Sequence, residues 1–282
     1  MTECTIVVEF YTCGGVMSWI PEEGEGPSYS WWERLGLSIL RTGSLPRHVA
    51  FIMDGNRRFA RKSQVDLIKG HSSGFDKLSE TLFWCRDLGV EEVTVYAFSI
   101  ENFKRPQKEI DDLMELAQNK FERMLSEIHR LREKGVRVQV LGKLSLLPQD
   151  LQNTIHQCVE ATKDHKECTL NVAFAYTSRE ELTSAISLAA SDSSSNVQED
   201  LDVKSLERYF YGEGSRKVDL LIRTSGEVRL SDFMLWQGSY AVTYFTKVLW
   251  PEFKVTHFMG AIFHYQHHIP LIRALAPKEE LL

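Results

Sequence analysis

Apolar residues between positions 48 and 245 follow two different periods, and the two periods alternate along the chain. Short runs rich in valine, isoleucine and aromatic residues have the length and composition of buried strands. Between them, apolar residues recur every three or four positions, the spacing of a helix that buries one face. This alternation predicts an α/β fold, with a mainly parallel central sheet of about six strands flanked by helices. The predicted strands span residues 48–53, 93–98, 136–141, 170–176, 218–222 and 242–245.

Two of the predicted helices carry many bulky apolar side chains. The first ends at Gly89, and the second runs from Ile110 to Leu131 and ends near Gly135. Two interpretations stay open: these side chains pack the helices against the sheet, or they line a site for an elongated apolar ligand. The side chains concerned are Phe83, Trp84, Met114, Phe121 and Met124.

The first 46 residues differ in character from the rest. Met17 offers an alternative start, so residues 1–16 are expected to be an extension, and residues 21–30 have the composition of a flexible acidic linker. Residues 31–41 predict a short amphipathic helix with two tryptophans. Such a helix can lie at a membrane interface, or it can pack on the domain itself. We therefore divide the chain into residues 1–46, a main domain over 47–275 and a tail over 276–282, with an exposed loop at 191–200.

Composition narrows the classes of function. The chain has 282 residues, and its net charge of -6 argues against nucleic-acid binding. The 5 cysteines are scattered, without metal-ligand spacing, which suits a reducing compartment. No apolar run is long enough to span a bilayer.

Polar chemistry is concentrated after the first predicted strand. Asp54, Gly55, Asn56, Arg57 and Arg58 follow it directly, where ligands bind in open α/β sheets. A carboxylate that can hold a divalent cation, beside two guanidinium groups, predicts a site for a metal-bound diphosphate. The alternative for Asp54 is an ordinary helix N-cap.

Polar residues after later strands suggest further parts of the same site. His71 can donate to phosphate or relay a proton, although a lone histidine at a helix start is more often a cap or a surface group. A second basic segment holds Arg223, Arg229 and Ser231, with Gly226 permitting a sharp loop; the alternative is a surface salt-bridge cluster. Two separated phosphate grips suggest two phosphorylated substrates. Between them lie Ser99, Asn102 and Arg105, for which turn formation and capping is the alternative.

Several of these segments, taken in order, resemble the cis-prenyltransferase family, also called undecaprenyl diphosphate synthases. They are residues 48–56, 70–74, 96–105, 222–236 and 248–251. The resemblance implies that fold, with an apolar product tunnel. It also implies successive addition of isopentenyl diphosphate to farnesyl diphosphate with Mg²⁺, giving long polyprenyl diphosphates for dolichol synthesis and protein glycosylation at the cytosolic face of the endoplasmic reticulum.

The resemblance also implies residue roles. Asp54 would hold Mg²⁺, and His71, Ser99 and Asn102 would be polar active-site residues. Phe59 and Phe103 stand where the family has aromatic residues near the substrates. The allylic diphosphate would be bound by Gly55, Asn56, Arg57 and Arg58, and isopentenyl diphosphate by Arg105, Arg223, Arg229 and Ser231.

Two positions depart from the family pattern. Leu67 stands where the family usually has an arginine, and Val242 stands where bacterial members have a Mg²⁺-binding glutamate. Animal catalytic subunits also lack that glutamate and work with a Nogo-B receptor-type subunit, so we expect a heteromer. The chain ends without the Arg-x-Gly tail of such partners, which supports this expectation. The competing hypothesis is a catalytically reduced paralogue that acts as a scaffold. A third hypothesis, nucleotide binding, is not supported, because the sequence lacks a glycine-rich nucleotide-binding signature.

Overall fold

A six-stranded parallel sheet forms the centre of the molecule, as predicted. The structure, a computed structural model, describes residues 28–192, 202–212 and 214–276. All strand pairs are parallel, in the order β3-β4-β2-β1-β5-β6. The predicted loop at 191–200 and the linker at 21–30 lie largely outside the described residues. The strands are β1 (His48–Ile52), β2 (Glu92–Ser99), β3 (Val136–Leu141), β4 (Cys168–Tyr176), β5 (Leu220–Arg223) and β6 (Val242–Phe245).

Helices cover the sheet. The long helix predicted from Ile110 to Leu131 is wrong as one element, because the chain breaks it at Glu127. The Ser126 hydroxyl and the Glu127 amide share the Arg123 carbonyl, at 2.8 Å and 3.0 Å. The Arg130 amide then donates to the Glu127 carbonyl at 2.9 Å, a three-residue bond that tightens the chain at the break. The helices are α1 (Trp31–Leu40), α2 (Asn56–Lys62), α3 (Leu67–Asp87), α4 (Gln107–Ser126), α5 (Ile128–Glu133), α6 (Gln149–Thr162), α7 (Ser178–Ser191), α8 (Val203–Glu207) and α9 (Val255–Leu275).

The main core lies between the sheet and helices α3, α4 and α9. The Phe51 ring lies 5.8 Å from Trp250 and 6.2 Å from Phe258, centroid to centroid. Trp84 and Met124 are buried in the same cluster. For these two bulky side chains, packing against the sheet is what the structure supports.

Helix α1 is fixed to this core by one face. Ser30 and Glu33 form a capping box at its start, and Leu37 and Leu40 are buried. Gln266 of α9 donates to the Leu40 carbonyl at 2.7 Å. Within the described parts of the chain, the helices are too short or too polar to cross a membrane.

Candidate active site

The two predicted phosphate-binding segments lie side by side, at the carboxyl ends of β1 and β5. Their register pairs Ile52 with Arg223, which places Asp54 beside the second basic segment. Arg223 Nη2 donates to Asp54 Oδ2 at 2.9 Å. The Asp54 amide donates to Thr224 Oγ1 at 3.0 Å, and that hydroxyl donates to the Asp54 carbonyl at 2.7 Å. The two segments, remote in sequence, are therefore one hydrogen-bonded unit.

Gly55 allows the chain to turn sharply after β1. Its φ is +112°, a conformation that residues with a side chain rarely adopt. A Cβ there would lie 3.0 Å from Leu249 Cδ2 and 3.1 Å from Ser225 Cβ. The glycine thus lets α2 begin directly against the loop that follows β5.

Arg223 is the buried member of the second basic segment. It is only 3% exposed, and its Nη1 donates to Ser231 Oγ at 2.7 Å and to the Arg229 carbonyl. The alternative of a surface salt-bridge cluster therefore does not apply to this arginine. Its guanidinium links Asp54 to the loop that carries Ser231.

These elements surround a cavity of about 840 Å³. Arg223 is not a lining residue, but it donates hydrogen bonds to Asp54 and Ser231, which are. Phe59 and Phe103 do not line the cavity; Phe103 packs on Phe98, with ring centroids 4.9 Å apart. Their contact with substrate stays a prediction. The predicted residues that line the cavity are Asp54, Gly55, Asn56, Arg57, Arg58, His71, Ser99, Asn102, Arg105, Arg229 and Ser231.

Ser99 and Asn102 build the turn that follows β2. The Ser99 amide donates to Asn102 Oδ1 at 3.0 Å, and Ser99 Oγ accepts from the Glu101 amide at 3.2 Å. The capping alternative is therefore confirmed for both residues. Because both also line the cavity, capping fixes their position without removing them from the site.

Carboxylates hold the arginines on one side of the cavity. Arg57 and Arg105 share Glu109, with N–O distances of 3.9 Å and 3.0 Å. Burial lowers the pKa of Arg105, and the charge of Arg57 lowers it further, while Glu109 raises it. Two like charges held close together favour an additional anion between them.

Two further carboxylates, Asp54 and Glu227, hold the arginines on the other side of the cavity. Arg58 lies 3.7 Å from Asp54 and 3.6 Å from Glu227, and it donates to Ser225 Oγ. Arg229 also pairs with Glu227. Asp54 and Glu227 are 33% and 32% exposed, so a ligand that enters the cavity can compete with them for these arginines.

His71 lies where the cavity opens into apolar space. Burial, followed by the charge of Arg105, lowers the pKa of His71 to about 4, so the ring is neutral at pH 7. Its buried Nε2 has no hydrogen-bond partner among the described residues. A buried nitrogen in that state is suited to a ligand.

An apolar pocket of about 130 Å³ continues from the cavity. It shares His71, Phe98 and Leu113 with the cavity and lies between α3, α4 and the sheet. Phe121, one of the bulky residues noted in the sequence, lines it. A ligand with a charged head in the cavity can therefore extend an apolar tail past His71.

Sequence reasoning missed two cations of the cavity wall. Arg61 and Arg179 both line it, and Arg179 pairs with Asp232 at 2.8 Å. The signal for Arg61 was its place four residues after Arg57, on the same face of a helix. Arg179 gave no such signal, because only the packing of α7 brings it to the site.

The residues fit a divalent cation that is shared with a substrate. No group of three or more histidine, cysteine or carboxylate side chains suited to a metal occurs among the described residues. Asp54 lines the cavity at the predicted position, and Glu101, Glu227 and Asp232 contribute further carboxylates to the wall. Mg²⁺ commonly takes one or two carboxylates together with substrate phosphate oxygens. Val242 is buried in β6 and offers no carboxylate there.

Fold and cavity together define an α/β protein that binds phosphorylated ligands beside an apolar pocket. The sequence profile described as putative undecaprenyl diphosphate synthase matches residues 52–269. The chain therefore belongs to this cis-prenyltransferase family, and it is a transferase of prenyl groups.

Individual relatives agree with this placement. The chain is 51% identical over 252 residues to the dehydrodolichyl diphosphate synthase complex subunit of Homo sapiens, covering 89% of this chain and 74% of the relative. It is 44% identical over 239 residues to the tritrans,polycis-undecaprenyl-diphosphate synthase (geranylgeranyl-diphosphate specific) of Archaeoglobus fulgidus, covering 84% and 95%. The crystal structure of lavandulyl diphosphate synthase from Lavandula x intermedia, in complex with dimethylallyl diphosphate, superposes with a TM-score of 0.73 at 29% identity, covering 79% and 95%.

Proposed function

We propose that this protein adds isopentenyl diphosphate units to farnesyl diphosphate, forming long-chain polyprenyl diphosphate for dolichol synthesis and protein glycosylation. The observation that carries the proposal is the single cavity in which Asp54 and six arginines meet beside an apolar pocket. The human relative is a dehydrodolichyl diphosphate synthase complex subunit, which supports the product class.

The residues suit the chemistry of this condensation. The C–O bond of the allylic diphosphate breaks, a C–C bond forms to the isopentenyl double bond, and a proton is lost. Arg57 and Arg58 would stabilise the negative charge that develops on the leaving diphosphate. Mg²⁺ held by Asp54 would supply further charge stabilisation at the same oxygen atoms.

Proton loss requires an acceptor near the reacting carbon atoms. The carboxylates of the wall are paired with cations, Glu101 with Lys104 and the others with arginines. His71 is neutral but a weak base, since its pKa is lowered to about 4. Diphosphate oxygen is therefore the acceptor we propose. His71 would bind and orient substrate at the entrance of the apolar pocket.

The growing chain needs an apolar environment. Each methylene-sized group removed from water contributes about 0.8 kcal/mol. The pocket between α3 and α4 begins such a tunnel, with Phe75, Leu78 and Phe121 in its wall. Product release from a surface near a membrane would follow for a long polyprenyl chain, in keeping with a peripheral site at the endoplasmic reticulum.

A second subunit is part of the proposal. Position 242 provides valine rather than a carboxylate, and the names of the animal relatives describe complex subunits. We propose that a Nogo-B receptor-type subunit completes the site. Incorporation of labelled isopentenyl diphosphate onto farnesyl diphosphate, with and without that subunit, tests this: we expect long products only with the partner.

Replacement of Asp54 tests the metal role. Asp54→Asn keeps the shape but removes the charge, and we expect kcat to fall about 100-fold or more. Asp150→Asn, at an exposed position in the first turn of α6, is the matched control and should leave kcat unchanged. A fully active Asp54→Asn variant would exclude the metal role. No product from folded parent protein with its partner bound would favour the scaffold paralogue.

A further inference from the structure

One arginine of the catalytic cavity differs from the others in its pairing. Arg57, Arg58, Arg105, Arg179 and Arg229 each have a carboxylate within ion-pair distance. The side chain of Arg61 has no hydrogen bond or ion pair with any described residue, yet it lines the same cavity.

Arg61 is placed to reach the same anion as the residues at the start of α2. It lies one helical turn after Arg57, and residues four apart share a face of a helix. Asn56, Arg57 and Arg58 belong to the same helix and the same cavity wall. The anion held by this wall is therefore the one that Arg61 can reach.

Position 67 explains why such a cation is needed. Leu67 is 41% exposed, and with its neighbour Ile68 it lines a separate groove of about 710 Å³ beside the cavity. The side chain of Leu67 can offer neither charge nor hydrogen bonds to a diphosphate at this end of α3. Among the described residues, Arg61 is the arginine of the cavity wall that can bind a diphosphate without first releasing a carboxylate.

We infer that Arg61 is a substrate-binding residue that grips the allylic diphosphate in place of an arginine at position 67. This inference rests on the proposed function. A guanidinium presents a planar fork of donors to phosphate oxygen atoms. An unpaired, partly exposed arginine gives up only water for that contact, whereas a paired one must first exchange a carboxylate.

The test has two parts. The first measures binding of farnesyl thiodiphosphate, an analogue whose bond to the allylic carbon resists cleavage, to the full chain with Mg²⁺. The second measures steady-state kinetics with the partner subunit. We expect Arg61→Gln to weaken analogue binding and to raise KM for farnesyl diphosphate by about 10- to 100-fold. KM for isopentenyl diphosphate should change less than about threefold. Adding Leu67→Arg to Arg61→Gln should recover at least about half of the lost affinity on a logarithmic scale.

Lys62→Gln is the matched control. Lys62 is the next residue of α2, pairs with Glu252 and does not line the cavity, so both KM values should stay within about twofold. Analogue binding that Arg61→Gln leaves within about twofold of the parent would overturn the inference, as would an equal rise of both KM values. Absence of analogue binding to the folded parent would overturn the proposed function itself.

Discussion

His71 shows how strongly a single residue depends on its surroundings. The sequence offered a cap, a phosphate donor or a proton relay. In the structure the ring is buried at the meeting point of the cavity and the apolar pocket, near Arg57 and Arg105. Because burial and both charges oppose protonation, the neutral form is the one that meets substrate.

This environment predicts a pH dependence of stability. The pKa of His71 is about 4 in the folded protein against 6.5 in the unfolded chain, so the unfolded chain binds more protons between these values. The free energy of unfolding should therefore decrease as pH falls through that window. Relative to His71→Gln, the parent should lose up to ~2 kcal/mol between pH 6.5 and about pH 5.

Urea unfolding of both chains at the two pH values measures this difference. Other titrating groups are common to both chains and cancel in the comparison. Parallel pH profiles for parent and variant would show that His71 titrates normally in the folded protein.

At the scale of elements, the contact between α2 and α3 positions the residues that we propose to bind diphosphate. Gly74 of α3 faces Asn56, the first residue of α2, and a Cβ at position 74 would lie 2.4 Å from Asn56 Oδ1. Trp250 Nε1 donates to the Gly74 carbonyl at 2.7 Å, which further fixes the position of α3. The helices therefore approach closely, and neither can move away freely.

Gly74→Ala should destabilise the protein, although alanine favours helix interiors by only about 1 kcal/mol over glycine. Overpacking at such a contact costs typically about 1–3 kcal/mol, so the clash should outweigh the propensity gain. We expect a lower urea midpoint and a higher KM for farnesyl diphosphate, since Asn56 lines the cavity.

Ser73→Ala, at the preceding position of α3, is the control. Its hydroxyl donates only to the Lys69 carbonyl, within the same helix. An unchanged midpoint for Gly74→Ala would mean that Asn56 can rotate away at little cost.

At the scale of the whole molecule, α1 presents two contrasting faces. Leu37 and Leu40 are buried, whereas Trp31 is 77% and Ile39 is 61% exposed. Both interpretations of this helix, packing on the domain and contact with a membrane surface, can therefore hold at once. Such an exposed apolar face on a fixed helix is suited to an interfacial position.

Replacing Trp31 and Ile39 by serine should weaken binding to phospholipid vesicles by about tenfold or more, because each buried apolar side chain contributes about 1.5–3 kcal/mol. The melting temperature should stay the same, since neither residue belongs to the core. Leu146→Ser with Leu188→Ser, two exposed leucines elsewhere, is the control. Equal vesicle binding by all three chains would exclude membrane contact through α1.

The sequence by itself determined much of this protein. Local periodicity specifies six strands, because side chains on a strand or helix repeat with its own geometry. The turn after β1 was also readable, since Asp54, Gly55 and two arginines follow a buried run directly. Ordered motifs, compared with a known family, then indicated the reaction class.

Only the tertiary structure decided how these parts combine. Strand register placed Arg223 beneath Asp54, and the packing of α7 brought Arg179 to the wall, neither of which is encoded locally. The pairing that leaves Arg61 without a partner among the described residues is the clearest case, because it depends on which carboxylates five other arginines reach in three dimensions.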